Sequence, residues 1–388
     1  MGKNIVVCCD GTGNEYGENK SNVVKLYQAL VIEPGAQTAY YHPGVGTMGA
    51  RNALSALGKL WTRVRGLAFG YGLSDNIADA FQFLMNEFKD EDKIYLFGFS
   101  RGAYTVRALC GLLHMFGLLR PGNEGMIPYA VRLFKSGKKD KFALAAGFKK
   151  TFSRECKPSF LGIWDTVSSV GWVLDPIGLK PGALPFTAQF ADIPVIRHAV
   201  SIDERRAFFR QNLVHPQASS GDGQDLKQFW FAGVHSDVGG SYPEAESGLS
   251  KIALRWMLNE AIKAGLKVNL PIMTAVLGGD KKYASPDPNA QMHNSLTAAW
   301  WPGEIWPKRT MAFVPVAGEG KLQWKGKIRC NLWRRRFIAE GAHIHASVIQ
   351  RMNEAKEAYK PPNLPKTYVI EQDEPAPEAK ANVAGQAS

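Results

Sequence analysis

Residues Lys93 to Gly117 constrain this chain more than any other stretch, reading KIYLFGFSRGAYTVRALCGLLHMFG. Ile94, Tyr95, Leu96 and Phe97 form a continuous apolar run, the mark of a short strand buried on both faces. Gly98-Phe99-Ser100-Arg101-Gly102 comes next and fits G-x-S-x-G. Ala103, Val106, Cys110 and Leu113 then recur at helical spacing, and Gly117 suits a helix C-cap. Strand, tight turn and helix stand in the order that presents a serine at the tip of a strand. The turn is too crowded for side chains two before and two after that serine, hence Gly98 and Gly102. The first helical N–H groups, starting with that of Arg101, then face any anion formed at Ser100.

The flanking sequence repeats the strand-then-helix rhythm of a parallel sheet. Lys3 to Cys9 is a buried-strand run ending in the polar, glycine-rich loop Asp10-Gly11-Thr12-Gly13-Asn14. Ser21 is placed to cap a helix carrying Val23, Leu26 and Leu30, and Gln37 to His42 reads as the next strand. Ser74 suits the cap of a helix with Ile77, Phe81, Leu84, Met85 and Phe88 on one face. Ser159 to Trp164 and Lys227 to Ala232 read as further strands, ending at Asp165 and just before His235. Leu249, Ile252 and Trp256 mark a helix after the last of these. The expected fold is α/β and α/β-hydrolase-like, with a mostly parallel sheet, helices on both faces and loop-rich insertions. One domain is expected over residues 1–360, with insertions at about 43–73, 121–157 and 270–340. A Pro-, Ala- and Glu-rich disordered tail is expected over 371–388.

Pro43 to Gly49 contains G-x-G-x-x-G, but the stretch after Gly49 is basic and offers no acid about 20 positions on to hold a ribose. Residues 51–65 instead interleave leucine and tryptophan with arginine and lysine, which suits a lid or an interfacial helix as well as an ordinary packed one.

With 388 residues, 45% of them hydrophobic, the chain can bury a core without staples. Its five cysteines are scattered without metal spacing, as expected of buried thiols in a reducing compartment. No signal peptide, myristoylation pattern or spanning segment is read, so a cytoplasmic protein is expected, with signal-independent export left open. The net charge of +12 is concentrated at 51–65, 135–150 and 321–336. It favours anionic surfaces, and peripheral contact with an anionic membrane is expected.

Four strand ends carry polar functional residues: Asp10, Ser100, Asp165 and His235. A parallel sheet brings them to one edge, where ligands bind in open α/β sheets. Serine needs a neighbouring imidazole to take its proton, and the imidazole needs a carboxylate to fix its tautomer. Ser, acid, His is also the chain order of α/β-hydrolases. The acid is Asp165 or Asp237. Asp165 is preferred, since Asp237 lies two residues from His235 and suits a bracing role at Gly239-Gly240. The base is His235, His293, His343 or His345. His235 is preferred for its glycine-rich strand-end loop, with His345 the alternative because it lies near the domain's end. Asp203, Glu204, Arg205 and Arg206 read as a salt-bridged scaffold. A tetrahedral intermediate would need two N–H donors, expected from Arg101 and from Gly11 or Thr12, with Asp10 shaping that loop.

These stretches resemble the α/β-hydrolase domains that include the type VI secretion phospholipase effectors. The matching pieces are CCDGTGN at 8–14, SNVVKLYQAL at 21–30, HPGVGT at 42–47, GFSRGAYTVRAL at 98–109 and LGIWDTVSSVG at 161–171. HAVSIDERRAFF at 198–209, WFAGVHSDVGGSY at 230–242 and IHASVIQR at 344–351 complete them. The resemblance implies a cofactor-free serine hydrolase acting on acyl esters, phospholipids above all, with Ser100, Asp165 and His235 as its triad. For an effector it also implies an immunity or secretion partner.

Two other classes compete with this one. Cys8-Cys9-Asp10-Gly11-Thr12 is similar to the D-x-D-G-T loop of metal-dependent phosphatases, with Asp10, Asp165, His235 and Asp237 as candidate ligands. That reading leaves the serine turn unexplained, and Cys8 stands where the nucleophilic aspartate belongs. A non-enzymatic basic module would bind nucleic acid in a salt-sensitive way. No nucleic-acid fold is recognisable and no nucleic-acid partner is expected.

Overall fold

The computed structural model describes residues 2–11, 17, 19–44, 72–167, 184, 186–190, 192–215, 223–305, 307–315, 322–355 and 358–374. Thr12, the 51–65 stretch and most of the expected 371–388 tail lie outside them.

Eight strands form one sheet: β1 (Asn4–Cys9), β2 (Gln37–His42), β3 (Lys93–Phe99), β4 (Phe160–Trp164), β5 (Val195–Ser201), β6 (Asp225–Phe231), β7 (Ala342–His345) and β8 (Tyr368–Glu371). They lie in the order β8-β7-β6-β5-β4-β3-β1-β2, and every pairing in this sheet is parallel. The chain changes direction across the sheet between β1 and β3, where Cys9 lies opposite Gly98. Such a switch point opens a crevice at the strands' carboxyl ends, and both Asp10 and Ser100 come directly after those ends.

Alternation along β1 sorts its side chains between two cores. Ile5, Val7 and Cys9 face the cluster built by α2 (Leu73–Glu87), α3 (Arg101–Phe116), α4 (Ile127–Lys135) and α5 (Lys141–Phe152). Val6 and Cys8 face the opposite cluster with α1 (Asn22–Ala29) and α6 (Gly248–Lys263). A third, smaller cluster joins Val200 and Trp230 to Ile344 and to Val348 of α7 (Ala346–Glu354). Helices thus cover both faces.

Local signals explain the start of α1 and the end of α3. The Ser21 hydroxyl accepts the Val24 N–H at 3.3 Å and caps α1. α3 closes at Gly117 with φ 68°. Ser74 does not cap α2: the helix begins a residue earlier, after Gly72 at φ 89°, and the Ser74 hydroxyl accepts Lys135 Nζ at 2.6 Å instead. The insertion at 121–157 contains α4 and α5. That at 270–340 contains short helices and the antiparallel ribbon Lys308–Pro315 with Leu322–Arg329.

Three strands depart from the sequence expectation. β5 carries Arg197 and His198 in its middle, which hides its apolar run. Both are buried because Arg197 pairs with Glu260 and Asp225, and His198 Nδ1 meets Gln228 Oε1 at 2.8 Å. β7 and β8 are four residues each, and β8 lies beyond residue 360, where the domain was expected to end. Asp373, inside the expected tail, accepts Arg255 Nε at 2.9 Å.

Candidate active site

Ser100 sits at φ 58°, ψ −118°, a backbone conformation that non-glycine residues avoid and that recurs where side chains are held for function. The two glycines are required by contact. A Cβ on Gly98 would lie 2.6 Å from the Ala103 nitrogen, and one on Gly102 would lie 2.0 Å from the Cys9 carbonyl oxygen. The second contact seats the N-terminus of α3 against the loop leaving β1. Ser100 N–H donates to the Trp164 carbonyl at 3.1 Å, so Ser100 and Asp165 leave neighbouring strands side by side. Among the described residues the Ser100 hydroxyl makes no hydrogen bond.

Asp165 and His235 are brought together, with His235 Nδ1 2.5 Å from Asp165 Oδ2. His235 opens the short helix His235–Gly239 after β6, which points its ring back over the sheet edge. The ring stacks on Phe99, the residue before Ser100, at 4.6 Å and meets Phe209 edge-on at 4.9 Å. Both partners are buried, Asp165 to 1% exposure and His235 to 3%. An ionised carboxylate only accepts, so the imidazole proton belongs on Nδ1. Nε2 has no hydrogen bond among the described residues and keeps its lone pair.

The electrostatics fit those roles. Burial would raise the Asp165 carboxyl, but the Arg336 guanidinium and His235 together hold it well below the usual carboxylate range. Burial draws His235 below its ordinary value, and Asp165 offsets part of that. Both directions favour a carboxylate beside a neutral imidazole.

Arg336 escaped the sequence reading. It grips Asp165 with Nη1 at 2.5 Å and Nη2 at 3.0 Å, and also donates to the Ser201 hydroxyl and the Phe209 carbonyl. It lies in the run Trp333-Arg334-Arg335-Arg336-Phe337, the end of the basic patch at 321–336 that the sequence reads as favouring anionic surfaces. One arginine of the three turns inward, and nothing in a charge run says which. Glu204, in the segment read as a salt-bridged scaffold, is also buried beside His235. It accepts the His235 N–H at 3.2 Å and Arg206 Nη2 at 2.8 Å. Burial acts to raise it, yet its bonds to Arg206 bring it down to about 2. Asp203 accepts the Gly233 N–H at 2.8 Å, so the SIDERR segment scaffolds the loop that carries His235.

The remaining candidates lie elsewhere or do other work. Asp10 shapes its loop, accepting the Gly11 N–H at 2.6 Å, Ser21 Oγ at 2.5 Å and Tyr41 OH at 3.0 Å. The Gly11 N–H is therefore engaged by the Asp10 carboxylate, since an aspartate can fold back on the next backbone amide, and Thr12, the other expected donor, lies outside the described residues. Asp237 accepts the N–H groups of Val234 and His293 and the ring of His293 at 2.6 Å, which leaves it no part in the Asp165–His235 pair. His343 meets Glu371 on the surface. His345 is held by Ser347 through Nδ1 and by Asp373 through Nε2 at 2.9 Å. Asp10 and Asp237 are thus engaged apart from the Asp165–His235 pair, and among the described residues no group of three or more His, Cys, Asp or Glu converges as metal ligands would.

Residues 3–260 match the family described as "T6SS, Phospholipase effector Tle1-like, catalytic domain". Over 235 residues the chain is 37% identical to "Uncharacterized protein YEL023C" of Saccharomyces cerevisiae, matching 55% of this chain and 33% of that protein. A solved structure of an uncharacterized protein from Pseudomonas aeruginosa matches at 19% identity and TM-score 0.41, covering 73% of this chain and 49% of that one. The structure titled "Structure of the Tle1 effector bound to the VgrG spike from the Type 6 secretion system" matches at 20% identity and TM-score 0.32, covering 64% and 53%. The chain therefore spans a third of the yeast protein and about half of each solved chain. With residues 3–260 matched, a stretch that contains Ser100, Asp165 and His235, the chain belongs to the Tle1-like phospholipase effector catalytic-domain family.

Proposed function

We propose that this protein is a serine hydrolase that cleaves carboxylic ester bonds of phospholipids or related acyl lipids, using Ser100, His235 and Asp165 as a triad. The observation that carries the reading is His235, with Nδ1 fixed by Asp165 and Nε2 free, stacked on the residue before a strained, unbonded Ser100. His235 Nε2 takes the Ser100 proton as Oγ attacks the acyl carbon, and Asp165 steadies the imidazolium that forms. The same proton then goes to the departing alcohol, leaving an acyl-enzyme. Water attacks it with His235 again as base. The oxyanion is met by the N–H of Arg101 at the start of α3 and by a second donor from the loop after β1. Close packing of Gly102 on Cys9 supports that choice of loop. With the Gly11 N–H engaged, Thr12 is the remaining candidate.

Family membership supports the lipid substrate and makes export as a secreted effector, with a spike or immunity partner, part of the same reading. No described helix is long and apolar enough to cross a membrane. The test is hydrolysis of a soluble short-chain ester and of phospholipid vesicles by the purified chain beside Ser100→Ala. Fatty acid release by the parent and not by the variant is expected. Equal turnover by the two would end the serine hydrolase reading.

A further inference from the structure

We propose that the short helix Trp301–Ile305 and the loop 331–337 form one face that docks on an anionic phospholipid bilayer beside the active site. This rests on the lipid hydrolase reading of that site.

Five large apolar side chains stand out of these two segments. Trp301 is 51% exposed, Ile305 55%, Leu332 54%, Trp333 38% and Phe337 57%. The two segments meet through the Trp301 and Trp333 rings, edge to face at 6.0 Å. A contiguous exposed apolar patch marks a place of contact. Its presentation is rigid. Leu332 and Trp333 hold positive φ angles of 48° and 57°, which bulky L residues avoid unless their surroundings impose them. Glu304 imposes them: its carbonyl accepts the N–H groups of Asn331 and Leu332, and its carboxylate accepts that of Trp333 at 3.0 Å. Arg336, in the same loop, is locked on Asp165.

Charge and size choose the occupant. Glu304 is the only acid in either segment and is fully buried, while Arg334 is exposed between Trp333 and Phe337 and Arg335 is half-exposed. The outward charge is therefore positive, on a chain of net charge +12. Aromatic rings among arginines suit the headgroup layer of an anionic leaflet. Five half-exposed side chains offer about 100 Å² each, about 500 Å² together, less than the roughly 800 Å² that each partner of a stable protein interface buries. The patch is also continuous with the site. Trp300 meets Phe209 edge-on at 5.4 Å, and Phe209 meets His235. A lipid drawn partly out of the bilayer at this face would meet Trp300 and Phe209 on the way to His235, with the Arg206 guanidinium over both rings.

The test is sedimentation of the full chain carrying Ser100→Ala, which leaves the lipid intact, with phosphatidylcholine vesicles with and without phosphatidylglycerol. The protein should pellet with both and several-fold more with phosphatidylglycerol. Leu332→Ser with Phe337→Ser, checked for an unaltered melting temperature, should cut partitioning roughly tenfold or more. Arg334→Glu should weaken binding only where phosphatidylglycerol is present. If the double variant folds poorly, quenching of tryptophan fluorescence by brominated lipid, lost in Trp301→Phe with Trp333→Phe, carries the test. Absence of vesicle binding, or variants that pellet like their parent, would overturn the proposal. So would a double variant that dissociates self-associated protein while still binding vesicles, since the patch would then join copies of this chain. Binding is read on inactive protein and hydrolysis on a soluble ester, so either reading can fail without the other.

Discussion

Among the described residues, Asp165–His235 and Asp373–His345 are both aspartate–histidine pairs, and they are put to different use. Asp165 holds His235 through Nδ1 and leaves Nε2 open, beneath Phe99 and beside Ser100. Asp373 holds His345 through Nε2, while Nδ1 accepts the Ser347 N–H at 3.2 Å and so caps α7. The first histidine has a free lone pair and the second has none. His293 makes the contrast sharper, because Asp237 and Glu246 accept from its two nitrogens and both must carry protons. A histidine beside a carboxylate can serve as a general base only where its other nitrogen keeps an unengaged lone pair. The structure supplies that condition once among these three.

The largest effect should separate the first two pairs. Ser100→Ala or His235→Ala should lower ester turnover by about 10⁴–10⁶, and adding His235→Ala to Ser100→Ala should cost little more, because the group acts as a unit. His345→Ala should stay within a few-fold of the parent. Steady-state kinetics on a soluble ester reads all four proteins, and an inactive His345→Ala beside an active His235→Ala would reverse the assignment.

Arg336→Gln should come next. It strips a bidentate cation from a carboxylate that stays buried, and removing one partner of such a pair typically costs about 3–5 kcal/mol. Denaturant unfolding measures the loss. Turnover should fall as well, and Arg336→Lys should recover part of both.

The histidines should also part company in pH. His235 is drawn below its ordinary value of 6.5, so its contribution to stability is present above pH 6.5 and lost as pH falls through its folded value. The acid limb of kcat/KM should therefore lie below 6.5. Burial acts to lower His293 too, but Glu246 and Asp237 raise it on balance, so its contribution is full below 6.5 and lost as pH rises through its raised value. Removing His293 should flatten the alkaline side of the stability profile and leave the acid limb of activity where it was. The smallest effect belongs to His345→Ala, which removes a helix cap and should cost about 1 kcal/mol of stability.

The strands and helices that carry Ser100, Asp165 and His235 were legible because each rests on a local signal. A short apolar run, a turn glycine and a capping residue all act within a few positions of one another. β5 was hidden because Arg197 and His198 find partners on α6 and β6, far along the chain. Arg336 was hidden for the same reason, since its partner lies 171 positions away. Whether the Gly11 N–H is engaged depends on one side-chain rotamer of Asp10, which no spacing rule encodes. Local chemistry was readable, and long-range pairing of charge was not.

The most direct measurement is the rate and site of labelling by a fluorophosphonate, read by peptide mapping on the parent, His235→Ala, His293→Ala and His345→Ala. Ser100 should be the labelled residue. The rate should collapse by about three orders of magnitude or more in His235→Ala and stay near that of the parent in the other two, since only His235 activates the serine. Label on another residue, or undiminished labelling of Ser100 without His235, would contradict the assignment.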